Sequence, residues 1–228
     1  MKLSDKIISL ILCGISLQVI TGCQKEPEFG NDRAFSGIIQ DGAGNIVAGD
    51  ITTTSFIVKA LGAGDVVTTD MPIKGDGTFG NNKLYAKQYK IWVNGPVVTT
   101  TKDTLLVDLA ANKVVTHNFV VSPFISIDKP TVSGNLTATT VDISYAMTAQ
   151  SGQTISKREL YCSTYPFPNA IIGSGAFYTT VKVTLNADAG TITVPGLATK
   201  TKYYIRVGAL ATGSNGYNYS EQIEITTL

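Results

Sequence analysis

Short runs of alternating apolar and polar residues constrain the fold of this chain more than any other feature of its sequence. Beyond residue 35 the chain is rich in Thr, Val, Ile and Tyr, and clusters of Gly, Asn and Asp separate the runs. This pattern is typical of β-strands joined by turns. No long stretch has the periodicity of an amphipathic helix. The sequence therefore predicts an all-β protein.

The predicted strands fall into two groups on either side of Ser122-Pro123. Proline cannot donate to a β-ladder and keeps the residue before it extended, so we place a domain boundary there. We expect two consecutive antiparallel β-sandwich domains, a first over 35–122 and a second over 123–228. The predicted strands are 35–40, 89–93, 104–109 and 114–121 in the first sandwich, and 124–128, 141–147, 158–163, 180–185, 190–194, 202–210 and 221–226 in the second.

The N-terminus has the composition of a removable export signal. Lys2 and Lys6 supply the positive end, and an uncharged apolar stretch follows over 7–20. Its length suits a signal peptide and is short for a permanent membrane span. We therefore predict a signal peptide over 1–22.

The signal ends in Ile-Thr-Gly-Cys at 20–23, which resembles the lipobox of bacterial lipoproteins. The resemblance implies that Cys23 is acylated and begins a lipidated tether over 23–34; the alternative is an ordinary signal with an incidental cysteine. The acidic stretch over 24–28 resembles the surface-export signal of Bacteroidetes lipoproteins, although a solvated tether would be equally polar. We expect a protein anchored by lipid to the outer membrane and facing the cell exterior.

Composition argues against several functions. A formal net charge of +1 gives no concentrated basic face for nucleic acid. With Cys13 in the signal and Cys23 lipidated, Cys162 has no partner for an intrachain disulfide, and we expect it to be a small buried hydrophobe. His117 is the only histidine, so we predict no catalytic residue, metal site or cofactor. A hydrolase whose two carboxylates meet in space stays a third possibility.

Each half of the chain resembles a known sandwich. The segments 35–41, 44–47, 76–79 and 84–91 resemble the carboxypeptidase-regulatory-like, or transthyretin-like, domain. In the second half, 197–207 resembles a fibronectin type III domain. That resemblance makes Tyr203 the corner tyrosine, with Ile205, Val207 and Ala209 pointing inward and Tyr204 and Arg206 outward.

Together, the lipobox and the two sandwiches resemble a family of two-domain Bacteroidetes lipoproteins of unknown function. Members of that family tend to accompany outer-membrane glycan-uptake transporters. The resemblance implies an association with polysaccharide capture, with polysaccharide or transporter proteins as partners in addition to the membrane.

Aromatic residues are the best candidates for a glycan site, because a sugar's apolar face stacks on exposed rings. Alternation over 89–93 puts Tyr89, Ile91 and Val93 on one face and Lys90 and Trp92 on the other. Trp92 is then either a glycan contact or buried against the second sandwich, and of these we favour the interface with the second sandwich. The other aromatics either bind ligand or cover their own sheet edges. The candidate ligand-binding residues are Trp92, Tyr165, Phe167, Tyr178, Tyr217 and Tyr219.

These observations lead to one functional expectation with an alternative. We expect a non-catalytic cell-surface lipoprotein that is an accessory glycan-binding or scaffolding component of a polysaccharide-uptake system. The alternative is a structural or adhesive surface module with protein partners. One or both sandwiches would carry the binding surfaces, and because the anchor fixes the proximal end, we expect them first on the second sandwich. Asp103-Thr104-Leu105 resembles the Bacteroidetes O-glycosylation motif, which would modify Thr104.

Overall fold

A computed structural model describes residues 30–50, 55–98, 104–171 and 179–228. In these residues every regular element is a β-strand, as the alternating pattern predicts, and no helix is suited to crossing a lipid bilayer. Asp32–Leu228 forms one compact unit. Cys23 and Tyr178 lie outside the described residues.

Two facing sheets enclose the first apolar core. One sheet has the order β4-β1-β8, with β9 also pairing with β1, and the other has the order β3-β2-β5-β7. Apolar side chains from both sheets meet between them, from Phe35 to Val121. The strands are β1 (Arg33–Gln40), β2 (Ile57–Gly62), β3 (Thr69–Pro72), β4 (Thr78–Leu84), β5 (Gln88–Asn94), β6 (Val97–Val98), β7 (Leu105–Asp108), β8 (Val114–Thr116) and β9 (Phe119–Val120).

The β4-β1-β8 sheet is mixed, which differs from the purely antiparallel sandwich that we expected. β1 runs antiparallel to β4 but parallel to β8 and β9. Gly37 permits this close pairing, because a Cβ on it would lie 1.8 Å from the carbonyl oxygen of His117. The first and last parts of this half are thereby brought side by side.

Two further sheets enclose the second core. One has the order β11-β13-β12, with β16 also on β13, and the other has the order β15-β14-β17-β18, with β19 also on β17. Apolar side chains from both sheets, contributed by residues within 124–225, pack together in this core. The strands are β10 (Ser122–Pro123), β11 (Ile125–Ile127), β12 (Thr131–Leu136), β13 (Val141–Ala149), β14 (Ile155–Ser163), β15 (Val181–Thr184), β16 (Ala189–Val194), β17 (Lys202–Ala211), β18 (Tyr217–Tyr219) and β19 (Ile223–Thr226).

β17 has the predicted alternation, with one difference. Ile205, Val207 and Ala209 are fully buried in the second core, and the Tyr203 hydroxyl accepts the N–H of Ala198 at 2.9 Å, the contact expected of a corner tyrosine. Arg206 is on the opposite face, as predicted, but it is fully buried rather than exposed. Another part of the chain therefore covers that face.

The two sandwiches are joined by hydrogen bonds around Pro96. β10 pairs with β6, and the N–H of Phe124 donates to the Pro96 carbonyl oxygen at 2.9 Å. The Asn218 side chain reaches the same carbonyl at 3.0 Å and accepts the N–H of Ile125 at 3.1 Å. Backbone groups that the chain crossing leaves without a ladder partner are thus satisfied by a side chain from β18.

Candidate functional site

The outward face of the β3-β2-β5-β7 sheet carries the candidate site. On β5, Tyr89, Ile91 and Val93 are buried in the first core, as the alternation predicts. The residues between them therefore point away from the core. We call the outward-facing side chains of β2, β5 and β7 the open face.

Trp92 lies near the middle of the open face and is half-buried. It is opposite Lys59 on β2, and Lys59 is opposite Asp70 on β3. The Lys59 Nζ is 3.3 Å from both carboxylate oxygens of Asp70. On the other side of β5, Ile91 pairs with Leu105 on β7. Thr104, which precedes Leu105 and is exposed, therefore lies opposite Trp92. The indole is thus flanked by polar side chains that can bind hydroxyl groups.

The next row along the sheet combines one charge with two apolar side chains. Lys90 is opposite Leu61 on β2 and opposite Leu106 on β7. Lys90 is exposed, and Leu106 is 74% exposed. Leu106 is on the edge strand β7, diagonal to the indole of Trp92, and it adds exposed apolar area to this face.

A cavity of about 370 Å³ lies at the end of these strands. Its walls include Leu61, Gln88, Lys90, Leu106 and Asp108, and it continues into the turn after β2. Its volume falls within the range of small-molecule sites, and apolar side chains with a few polar groups are the usual lining of such sites.

The carboxylates beside the cavity are already engaged. The N–H groups of Ala111 and Ala110 donate to Asp108 Oδ1 at 3.1 and 2.9 Å, and these bonds lower the pKa of Asp108. Asp65 is 2.6 Å from the Lys87 Nζ, and this hydrogen bond raises the pKa of Lys87. Both carboxylates therefore already have hydrogen-bond donors within the chain.

A second group of aromatic residues lies on the outward face of the β15-β14-β17-β18 sheet, which we call the covered face. Tyr217 and Tyr219 point the same way, as predicted, with stacked rings 5.8 Å apart. Tyr219 is only 5% exposed, and its hydroxyl donates to Asp50 Oδ2 at 3.2 Å. The Arg206 guanidinium lies 3.9 Å from the centre of the Tyr219 ring.

Arg206 connects this face to the first sandwich. Its Nη1 donates to the Gly49 carbonyl oxygen at 3.2 Å, and its Nε donates to the Pro168 carbonyl oxygen. Its Nη2 has no hydrogen-bond partner in the part of the chain that the structure describes. Burial lowers the pKa of Arg206, whereas Tyr219 and Asp50 raise it. The guanidinium therefore links the second sandwich to the first through its hydrogen bond to Gly49.

Tyr217 is half-buried and belongs to a satisfied polar cluster. Its hydroxyl donates to Glu159 Oε2 at 3.0 Å, where the Tyr161 hydroxyl also donates at 2.7 Å, and the Lys182 Nζ donates to Oε1 at 3.0 Å. Burial acts to raise the pKa of Glu159, but these three hydrogen bonds outweigh it and the pKa is lowered. Burial and the bond to Glu159 raise the pKa of Tyr217 to about 12.

The loop after β14 places its two described aromatics differently. Phe167 is half-buried over Gly75, where an added Cβ would lie 2.3 Å from the Phe167 Cγ. Its backbone N–H donates to Gln222 Oε1 at 2.7 Å. Tyr165 is 43% exposed. Phe167 and Tyr219 therefore pack within the chain, whereas Tyr165 and part of Trp92 face solvent.

Other chemical groups are used structurally. Cys162 is fully buried beside Leu160 in the second core, as predicted, and burial raises the pKa of its thiol to about 12. The His117 ring packs edge-on against Phe119, 4.9 Å between centres. Among the described residues no three metal-ligating side chains come together.

Sequence reasoning identified Trp92 but not the cavity next to it. The cavity of about 370 Å³ is on the first sandwich, although we expected binding surfaces first on the second. Its walls come from three strands that are distant in sequence. The available signal was the pair Lys90 and Leu106, each outward-facing in a predicted strand.

The fold and this face define an all-β protein of two sandwich cores with an open, partly aromatic surface. Residues 38–122 match the family described as "Protein of unknown function (DUF3823) N-terminal domain". No curated protein sequence matches the chain.

Solved structures share this fold over most of the chain. A DUF3823 family protein from Bacteroides uniformis is 16% identical with a TM-score of 0.67, covering 86% of this chain and 100% of that one. One from Parabacteroides merdae is 19% identical with a TM-score of 0.66, covering 85% and 98%. A B. uniformis structure described as a "putative carbohydrate binding protein" is 21% identical with a TM-score of 0.67, covering 86% and 100%. At these identities the likeness shows the fold.

Proposed function

We propose that this protein is a non-catalytic cell-surface lipoprotein that binds glycan on its open face, as an accessory component of an outer-membrane polysaccharide-uptake system. The observation that carries the proposal is a half-buried tryptophan between polar side chains, one row from a cavity of about 370 Å³. Aromatic rings bind the apolar faces of sugars while nearby polar groups bind their hydroxyls. The B. uniformis structure described as a "putative carbohydrate binding protein" supports it, since it shares the fold.

Isothermal titration of the full-length protein against a polysaccharide panel tests the proposal. We expect Trp92→Ala to weaken binding about tenfold or more, and Trp92→Phe to retain part of it, because the ring supplies the stacking surface. The comparison variant is Tyr165→Ala, which changes the other exposed candidate aromatic; we expect it to bind as the wild type does, because Tyr165 is on the second sandwich and not on the open face. Absence of binding to every polysaccharide would refute the glycan proposal.

The proposed location rests on Cys23. We expect metabolic labelling with palmitate to mark the wild-type protein and not Cys23→Ala, and protease added to intact cells to remove the labelled protein's folded part. Labelling with full protection from protease would contradict display on the cell exterior.

One observation favours the alternative of a protein-binding module. In the hairpin between β2 and β3, which borders the cavity, Val66 is 97% exposed and Val67 is 74% exposed. Adjacent exposed valines at a hairpin tip are typical of protein contacts. Capture of a transporter protein that is lost with Val66→Ser and Val67→Ser, while glycan binding is unchanged, would favour that function.

A further inference from the structure

Lys90 has no carboxylate partner in the described part of the chain, although several acidic side chains lie near the open face. Lys59 is paired with Asp70, and Lys87 is paired with Asp65. Asp108 accepts two backbone N–H groups. Within the described residues, Lys90 therefore forms no ion pair, whereas Lys59 and Lys87 each do.

The surroundings of Lys90 are apolar on both sides. Leu61 and Leu106 are its cross-strand neighbours, and all three residues line the cavity. In the free protein water solvates the ammonium group. A ligand that covers this row removes that water, and an ammonium buried between two leucines without a counter-ion is strongly unfavourable.

An anionic ligand avoids that cost, because a charge-assisted hydrogen bond replaces the lost water. Lys90 and Trp92 lie two residues apart on β5, about 7 Å along the strand. A sugar stacked on Trp92 therefore places its own substituents, or those of the next sugar, at Lys90.

We propose that the glycan bound on the open face is anionic, and that its carboxylate or sulfate group pairs with Lys90. This inference rests on the proposed function, because it names the ligand class of the same site. The two leucines and the indole contact the apolar faces of the sugars, and Lys90 selects for the charge.

Titration calorimetry with matched ligands tests the inference. The probes are oligogalacturonides and their methyl esters, which differ in charge but not in sugar, and dextran sulfate with unmodified dextran as the sulfate arm. We expect the wild-type protein to bind at least one anionic probe about tenfold more tightly than its neutral match. The arm that shows the difference identifies carboxylate or sulfate.

The Lys90→Gln variant separates the outcomes. We expect it to bind the preferred anionic probe as weakly as the neutral match, and Lys90→Arg to retain the preference. The control is Lys83→Gln, an exposed lysine on β4 of the opposite sheet, which we expect to bind as the wild type does. Equal binding of charged and neutral probes, or a preference that persists in Lys90→Gln, overturns this inference but not the proposed function. Binding of no glycan at all overturns both.

Discussion

The open face and the covered face are built from similar residues but have different environments. Both are the outward sides of sandwich sheets, and both combine aromatic rings with charged groups. On the covered face Arg206 and Tyr219 are buried and bonded to Gly49 and Asp50 of the first sandwich, and Tyr161 is buried in one cluster with Ala48. On the open face Lys90 and Leu106 remain exposed. Strand parity determines which side chains leave a core, but tertiary packing determines whether they meet solvent.

Removal of Arg206 is expected to have the largest effect on stability. Arg206→Ala leaves the Gly49 and Pro168 carbonyl oxygens without their donor and removes the cation from the Tyr219 ring. We expect the free energy of unfolding in urea to fall by about 3 kcal/mol. The matched variant on the open face, Lys90→Ala, is expected to stay within about 0.5 kcal/mol of wild type. Equal losses of stability in the two variants would show that side chains of the covered face do not stabilise the fold more than those of the open face.

The Tyr219 hydroxyl gives a smaller test of the same difference. Tyr219→Phe removes the bond to Asp50 and the acceptor of the Ala170 N–H at 3.2 Å. We expect a loss of about 1–2 kcal/mol in the free energy of unfolding, because the Ala170 N–H loses its acceptor and Asp50 loses one of its hydrogen bonds while it keeps the one from Asn169. Tyr165→Phe, which changes an exposed ring, is expected to leave the free energy of unfolding unchanged. A comparable loss in Tyr165→Phe would contradict the stabilising role of the Tyr219 hydroxyl.

The lowered pKa of Glu159 predicts how the stability of the folded protein changes in acid. Its folded pKa is lowered, so its contribution to stability is present above the unfolded pKa near 4.5 and is lost as the pH falls through the folded value. We expect Glu159→Gln to be less stable than wild type at pH 6, by about 1 kcal/mol, and the gap to narrow at pH 3. Thermal unfolding of both proteins at pH 6 and pH 3 measures this difference in stability. Glu224→Gln, which removes an exposed carboxylate paired with Lys202, is the control, and a gap that widens in acid would be inconsistent with this sign.

The strands with clear alternation were predicted from the sequence, whereas β2, β3 and β12 were not. β5, β13 and β17 have apolar residues at every second position, and each is a strand in the structure. β3 has only four residues and ends in Pro72, and β12 contains Gly134, so neither has a strong strand pattern. Short edge strands form because a neighbouring strand supplies the ladder, and this contribution is not visible locally.

The candidate site was predictable only in part for the same physical reason. The outward direction of Trp92 follows from parity within one strand. The cavity and the ion pairs at its rim depend on which strands become neighbours, and the hydrogen bond that Tyr219 makes when buried is to Asp50, 169 residues away in the chain. Local periodicity contains no information on these pairings.

The most direct test uses Trp92 as its own reporter, because it is the only tryptophan in the chain. If the open face binds glycan, titrating the full-length protein with an oligosaccharide that binds by calorimetry should change the intensity and shift the emission maximum of tryptophan fluorescence. The dissociation constant from fluorescence should equal the one from calorimetry. Tyr165→Ala should leave that titration unchanged. Glycan binding by calorimetry without any change in tryptophan emission would contradict the assignment of the site to the open face.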